Sequence, residues 1–232
     1  MSTKAPAQGT TKQRPPSAPR QGKRGRYHHG DLRAALIETA IDLIAERGLR
    51  DFSLAEASRR LGVAVSAPYA HFSDRDELVA AIAVHALELF YAELGPKLAR
   101  APTAGERLAA IARAYVRFAA GHQPLFQMLF DPRLDKTGHP EVEAAERPIE
   151  DAFLEAIHAL GHTRDRPASE SLAAAVEATA HGHAMLLLDG RFGRGRQAVE
   201  RAADNAARAT LALIDGRHLL LASPRPRSPI PR

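Results

Sequence analysis

The chain of 232 residues contains no cysteine and no tryptophan. Without cysteine it forms neither a disulfide framework nor a thiolate metal site, a composition that suits a reducing compartment. Aromatic residues make up only 5% of the sequence, and runs of β-branched residues are few, which disfavours a sheet-rich fold. No uninterrupted apolar run approaches the roughly 18–20 residues that a membrane-spanning helix requires. The basic amino terminus has no apolar stretch behind it of the kind a secretory signal carries. These absences predict a cytoplasmic protein with no membrane partner. Alanine, leucine, glutamate and arginine dominate instead, and all four favour helices.

Charge is unevenly placed. The formal net charge is +5, yet residues 1–26 hold seven basic side chains and no acidic one, and residues 223–232 add three arginines. By difference the body between these ends carries −5. The amino-terminal segment is rich in Pro, Gln, Gly, Ser and Thr and cannot bury enough apolar surface to fold alone. It is expected to be a disordered basic arm, either simply solvated or lying along phosphates with salt-sensitive affinity. Residues 223–232 are read as a second disordered tail.

The most informative stretch runs from Ser53 to Phe72. Ser53 can cap a short helix, with Glu56 reaching back three residues later as in a capping box. Leu54, Ala57, Ser58 and Leu61 then share one face. Gly62 interrupts the helix, since glycine enters left-handed backbone conformations without steric cost, and Val63 can plug the corner. A second short helix is expected from about Val65 or Ser66, with Ser66 as its cap. Two short helices around a glycine turn form the helix-turn-helix plan, whose second helix enters the major groove.

Gly62-Val63, Tyr69-x-His71-Phe72 and Arg75-Asp76-x-Leu78 together resemble the DNA-binding domain of TetR-family transcriptional regulators. Leu36-Ile37 through Ala45-Glu46-Arg47-Gly48 is similar to that family's first helix and its glycine stop. The resemblance covers about Tyr27 to Leu87. Two positions depart from it: Ala64 stands where a serine often caps the recognition helix, and Pro68 lies within that helix, where proline removes a hydrogen bond unless it sits in the first turn.

The other helices follow from their punctuation. Asp31 is expected to cap a first helix that ends near Arg47, and Ser73 or Asp74 a long fourth one to about Leu94. Gly95-Pro96 is the expected seam between two domains. Thr103-x-x-Glu106 is a further capping box, opening a helix that Gly121 ends. Pro124 to Phe130 is a short apolar helix. Pro140 opens another, reaching about Leu160, in which Pro148 should produce a kink or break. A helix from Asp165 or Arg166 to Leu188 and a last one ending near Gly216 complete the chain. The expected fold is therefore all-α, with a three-helix helix-turn-helix domain and its connecting fourth helix over residues 27–94, and a second helical domain over 95–222.

The resemblance implies that the second domain binds an effector and dimerises. Its last two helices carry stripes (Leu172, Ala175, Val176, Thr179 and Leu186; Val199, Ala202, Ala206, Leu211 and Leu213) that in the family pair with a second subunit, and their small alanines would permit close approach. His181-Gly182, with Leu186 to Gly190, is similar to a carboxy-terminal subtype named for a Trp-His-Gly signature, although the tryptophan is missing.

For contact with double-stranded DNA the candidates are Ser53, Val65, Ser66, Ala67, Tyr69, His71 and Arg75. Ser53 presents a helix amino terminus, Ser66 can bond bases or backbone, and Val65 and Ala67 can pack on thymine methyl groups. The resemblance places Tyr69, His71 and Arg75 near phosphate. No arginine or asparagine stands on the expected base-reading face, so shape readout should carry part of the specificity. Pocket candidates are Tyr115, Phe118, His122, Phe126, Met128, Phe153, His181 and Met185, which suit a mostly apolar small molecule with one polar group. All of them serve equally well as core.

An enzyme is the competing class. His181-x-His183 with His122, His139, His158 and His162 suggests a metal centre, but an i, i+2 spacing on a helix turns the two side chains apart. No phosphate loop, His-Glu-x-x-His or Gly-x-Ser-x-Gly motif occurs. Neither metal nor cofactor is expected. The sequence thus points to a homodimeric, ligand-responsive DNA-binding regulator, a repressor first of all, with an inducer-free DNA-organising or protein-binding relative as the alternative.

Overall fold

A computed structural model describes residues 32–135, 138–160 and 166–218, with backbone alone at 166–168. The expected arm, the Asp31 cap, His162, Asp165 and the tail lie outside these residues. Eight α-helices are present among the described residues: α1 Leu32–Arg47, α2 Leu54–Leu61, α3 Arg75–Leu98, α4 Ala104–Gly121, α5 Gln123–Leu129, α6 Pro140–Ala159, α7 Arg166–Leu188 and α8 Arg196–Asp215. No strand occurs among them.

α1 buries Leu36, Ala40, Leu43 and Ile44, residues spaced three and four apart. Against this stripe lie α2 and the first turns of α3, closed by Phe52 and Phe72. The helix starts follow the caps. Ser53 Oγ accepts from Glu56 N at 3.3 Å, Asp74 Oδ1 from Glu77 N at 2.9 Å, and the Thr103–Glu106 box closes in both directions, at 3.1 and 3.2 Å. The Ser53 box does not close. Glu56 turns its carboxylate to Arg59 at 3.0 Å and Arg47 at 3.5 Å, since an ion pair competes for the oxygens that the cap N–H would use.

α3 runs through Gly95-Pro96 to Leu98, past the end expected near Leu94. Pro96 forfeits one helical hydrogen bond, but Leu94 is fully buried and anchors the last turn. Likewise α6 continues through Pro148 without a break, held by Val142 on one side of the proline and Ala156 and Ile157 on the other, all buried. By length and composition α3 could cross a membrane, but 56% of its most apolar window is buried inside the protein. It is a core helix, packed on α1, α4, α5 and α6.

The second half is built around α4, which packs most extensively on α8 and α7. Ala202, Ala203, Ala206 and Ala207 of α8 are buried, letting it approach α4 closely. Arg113 pairs with Asp204 at 2.9 Å and Arg117 with Glu200 across the same seam. Of the alanines expected at a subunit contact, Ala202 and Ala206 therefore serve the protomer's own core, as do Leu172 and Val176, while Ala175 is half-buried.

Candidate functional site

The segment after α2 is shorter and tighter than a helix. Gly62 takes φ 70° and ψ 28°, ending α2 in the left-handed conformation that costs a side-chain-bearing residue about 1–2 kcal/mol. From there the chain makes successive three-residue turns, with Ala67 N bonded to Ala64 O at 2.9 Å and Tyr69 N to Ser66 O at 3.2 Å. A single 3-10 turn spans Ala67–Ala70. Pro68 stands in the first turn, where no backbone N–H is required of it and its fixed φ suits the start of a turn. Ser66 makes no capping bond, contrary to expectation, because its backbone is already helical at φ −80° and the turn begins before it.

This turn is anchored from below and open above. Pro68 is buried and Phe72 is 1% exposed, whereas Val65 is 52% and Tyr69 58% exposed. Ser66 and His71 share the exposed side, with Ala67 and Ser53 half-buried. Six of the seven candidate DNA contacts thus reach solvent without a competing side-chain bond to a charged partner. Arg75 differs. Its Nε donates to Phe52 O at 3.2 Å, another guanidinium nitrogen donates to Leu49 O, and Nη1 pairs with Asp76 at 3.0 Å. The cation also lies 5.8 Å from the Phe52 ring. Arg75 straps the α1–α2 connection to the start of α3.

A cavity of about 480 Å³ opens among α3, α4, α5, α6 and α7. Tyr115, Phe118, Phe126 and Phe153 line it, as the sequence suggested, joined by Phe90 and Phe130. Tyr115 stands at the centre of the ring cluster, with centroids 5.4 Å from Phe126, 6.0 Å from Phe130 and 6.2 Å from Phe90. Its hydroxyl shares a 2.8 Å hydrogen bond with His181 Nδ1. Burial, and secondarily the charge of Glu177, raises the phenol pKa well above its ordinary value.

The remaining candidates lie outside the lining. His181 is behind Tyr115, its ring 4.9 Å from Phe130. His122 stacks on Phe118 at 5.0 Å and faces Glu93 at 3.5 Å. Met128 is buried in the core and Met185 is exposed on α7. The sequence reading missed Glu146, Glu150 and Glu177, which also line the cavity. A signal existed: Glu146, Ile149, Glu150, Phe153 and Leu154 share one face of α6 at helical spacing, and Ala173, Val176, Glu177 and Ala180 one face of α7.

The histidines do not converge. His183 Nδ1 donates to Thr179 O at 2.8 Å and His139 meets Glu141 at 3.2 Å, so His181 and His183 turn to different neighbours. Among the described residues no group of three His, Cys, Asp or Glu could hold a metal ion.

Comparison with known proteins agrees with this architecture. A family model described as bacterial regulatory proteins, tetR family, matches residues 36–82, and one described as tetracyclin repressor-like, C-terminal domain, matches residues 108–210. The HTH-type transcriptional regulator BetI of Brucella anthropi is 33% identical over 79 residues, which is 34% of this chain and 41% of that relative. The chain therefore aligns with less than half of that relative's length. A solved protein of unknown function from a Rhodococcus species is 27% identical, with a TM-score of 0.63 over 81% of this chain and 97% of its own. The TetR-family regulator PfmR of Thermus thermophilus shares the fold at 21% identity and a TM-score of 0.58, over 77% of this chain and 96% of its own.

Proposed function

The chain belongs to the tetR family of bacterial regulatory proteins, and from that premise we propose that it is a repressor released from its operator by a small molecule. It is a DNA-binding transcriptional regulator of a family that is not enzymatic. The observation that carries the finer reading is the course of α3. At one end Arg75 binds the carbonyls of Leu49 and Phe52, and fifteen residues later Phe90 stands in the cavity wall beside Leu87. At about 1.5 Å per residue these points are about 22 Å apart on one helix. A molecule that pushes on Phe90 displaces a rod whose far end is strapped to the helix-turn-helix.

Tyr69, His71, Ser66 and the Ser53 helix terminus meet phosphate or base edges, with Val65 and Ala67 at thymine methyl groups. Arg75 contributes mainly by fixing the reading turn. The protein works as a homodimer in the cytoplasm. Leu186 and Leu211 are 45% and 39% exposed on α7 and α8. Leu186 borders a shallow groove with Gly182 and Leu213, part of an apolar face that a second copy would cover. Two turns held one operator half-site apart then double the contacts. The ligand must favour the DNA-incompetent state, and operator DNA must weaken ligand binding by the same factor.

Selection of bound sequences from random duplexes, followed by a compound screen for release, tests this. An enriched twofold site that a compound releases supports the proposal. Failure to retain any duplex at low ionic strength sinks it, and a screen without one stabilising or releasing compound leaves a DNA-binding protein that has no inducer.

A further inference from the structure

The walls of the effector cavity disagree in character. Its floor is aromatic, with Phe118 and Phe126 buried, while Glu150 of α6 and Glu177 of α7 line the same space and reach solvent. Glu146 lies one turn before Glu150 on the same face. Among the described residues no lysine, arginine or histidine lines the cavity. Glu150, next to Ile149, and Glu177, next to Val176, therefore stand at the rim where the apolar lining meets solvent.

We propose that the effector is an organic cation with an apolar body, its positive group at the rim between Glu150 and Glu177 and its body against Phe118, Phe126 and Tyr115. This rests on the cavity being the effector site. An anion there meets like charge from two helices. An uncharged apolar molecule of the same shape strips water from the carboxylates and returns nothing, which is unfavourable. A cation offsets both, and aromatic faces attract it in addition. Burial first, and then the charge of Glu177, raise the Tyr115 pKa, in keeping with this arrangement.

The test is calorimetric titration of the full-length protein with benzyltrimethylammonium, with 2-methyl-1-phenyl-2-propanol as an uncharged analogue of similar shape and with phenylmethanesulfonate as the anion. The cation should bind about tenfold or more tightly than the alcohol, and the sulfonate most weakly. Glu150→Gln/Glu177→Gln should reduce the cation's advantage to near parity while leaving the alcohol's affinity and the thermal midpoint in place. Because both side chains reach solvent, the variant should fold, and retained duplex binding verifies it. Should the variant fail to fold, the ranking of the three probes on the unaltered protein decides. Equal binding of cation and alcohol, no binding of the cation, or an advantage that survives the double substitution overturns the proposal. Operator release is measured separately: a cation that binds by these rules yet leaves DNA bound sustains the cation site and refutes the release mechanism.

Discussion

The reading turn and the cavity are held in place by opposite means. Between Gly62 and Arg75 the backbone sets the shape: a left-handed glycine, a proline that fixes φ in the first turn, and an arginine bonded to two carbonyls. Few side chains are buried there, and Phe72 is the main anchor. Around the cavity the backbone is ordinary helix, and position is set by aromatic rings meeting edge to face with space left over. On the proposed mechanism, a turn that presents a fixed surface to DNA benefits from the first arrangement and a ligand-responsive cavity from the second. The phenylalanine rings beside the void can shift without breaking hydrogen bonds, Tyr115 alone being tied to His181.

Phe72→Ala should have the largest effect, with a loss of about 3–5 kcal/mol, a large part of a typical domain's stability. Phe118→Ala borders existing empty space and should fall at the lower end of that range; thermal unfolding of both would break the contrast if Phe118 proved the costlier. Gly62→Ala comes next, at about 1–2 kcal/mol from left-handed backbone strain alone, since an added Cβ would meet nothing within 4 Å. A neutral result there would mean the turn adjusts freely, and duplex affinity measured alongside would show it.

Tyr115 sharpens the cavity side of the comparison through pH. Its folded pKa is raised, chiefly by burial and then by Glu177, from an ordinary value of 10.0. The folded state therefore holds the proton more tightly than the unfolded chain. The stabilisation is complete below pH 10.0 and lost as pH rises above it toward the folded value. Tyr115→Phe should remain folded to higher pH relative to its own neutral-pH stability, and an unchanged alkaline profile would argue against a buried phenol. Tyr69→Ala should be smallest in stability, within about 0.5 kcal/mol, while weakening all duplexes alike by about two- to tenfold. Loss confined to one sequence would move Tyr69 to base reading.

Much of this molecule was legible in its punctuation. Ser53, Asp74 and Thr103 start helices where their spacing to acidic residues says they should, because caps act over three or four residues. Local rules erred where burial outweighed them: Leu94 carries α3 past Gly95-Pro96, and Val142, Ala156 and Ile157 carry α6 past Pro148. They erred again where two local patterns competed for the same atoms, as when Glu56 turns its carboxylate to Arg59, three residues on, and to Arg47 rather than to its own cap. Aromatic residues at helical spacing identified half of the pocket candidates as lining, but periodicity alone could not separate Phe126, in the wall, from Met128, in solid core.

What the sequence determined unaided was the order of the α-helices, the glycine corner at Gly62 and the family, since each depends on residues close together in the chain. The expected recognition helix is instead a single 3-10 turn. Only the tertiary structure decided that Arg75 is a strap, that the α8 alanines face α4, and that Glu150 and Glu177 overlook one aromatic cavity. Those facts depend on helices separated by tens of residues, whose rotation is set by their combined packing and not by any one helix's pattern.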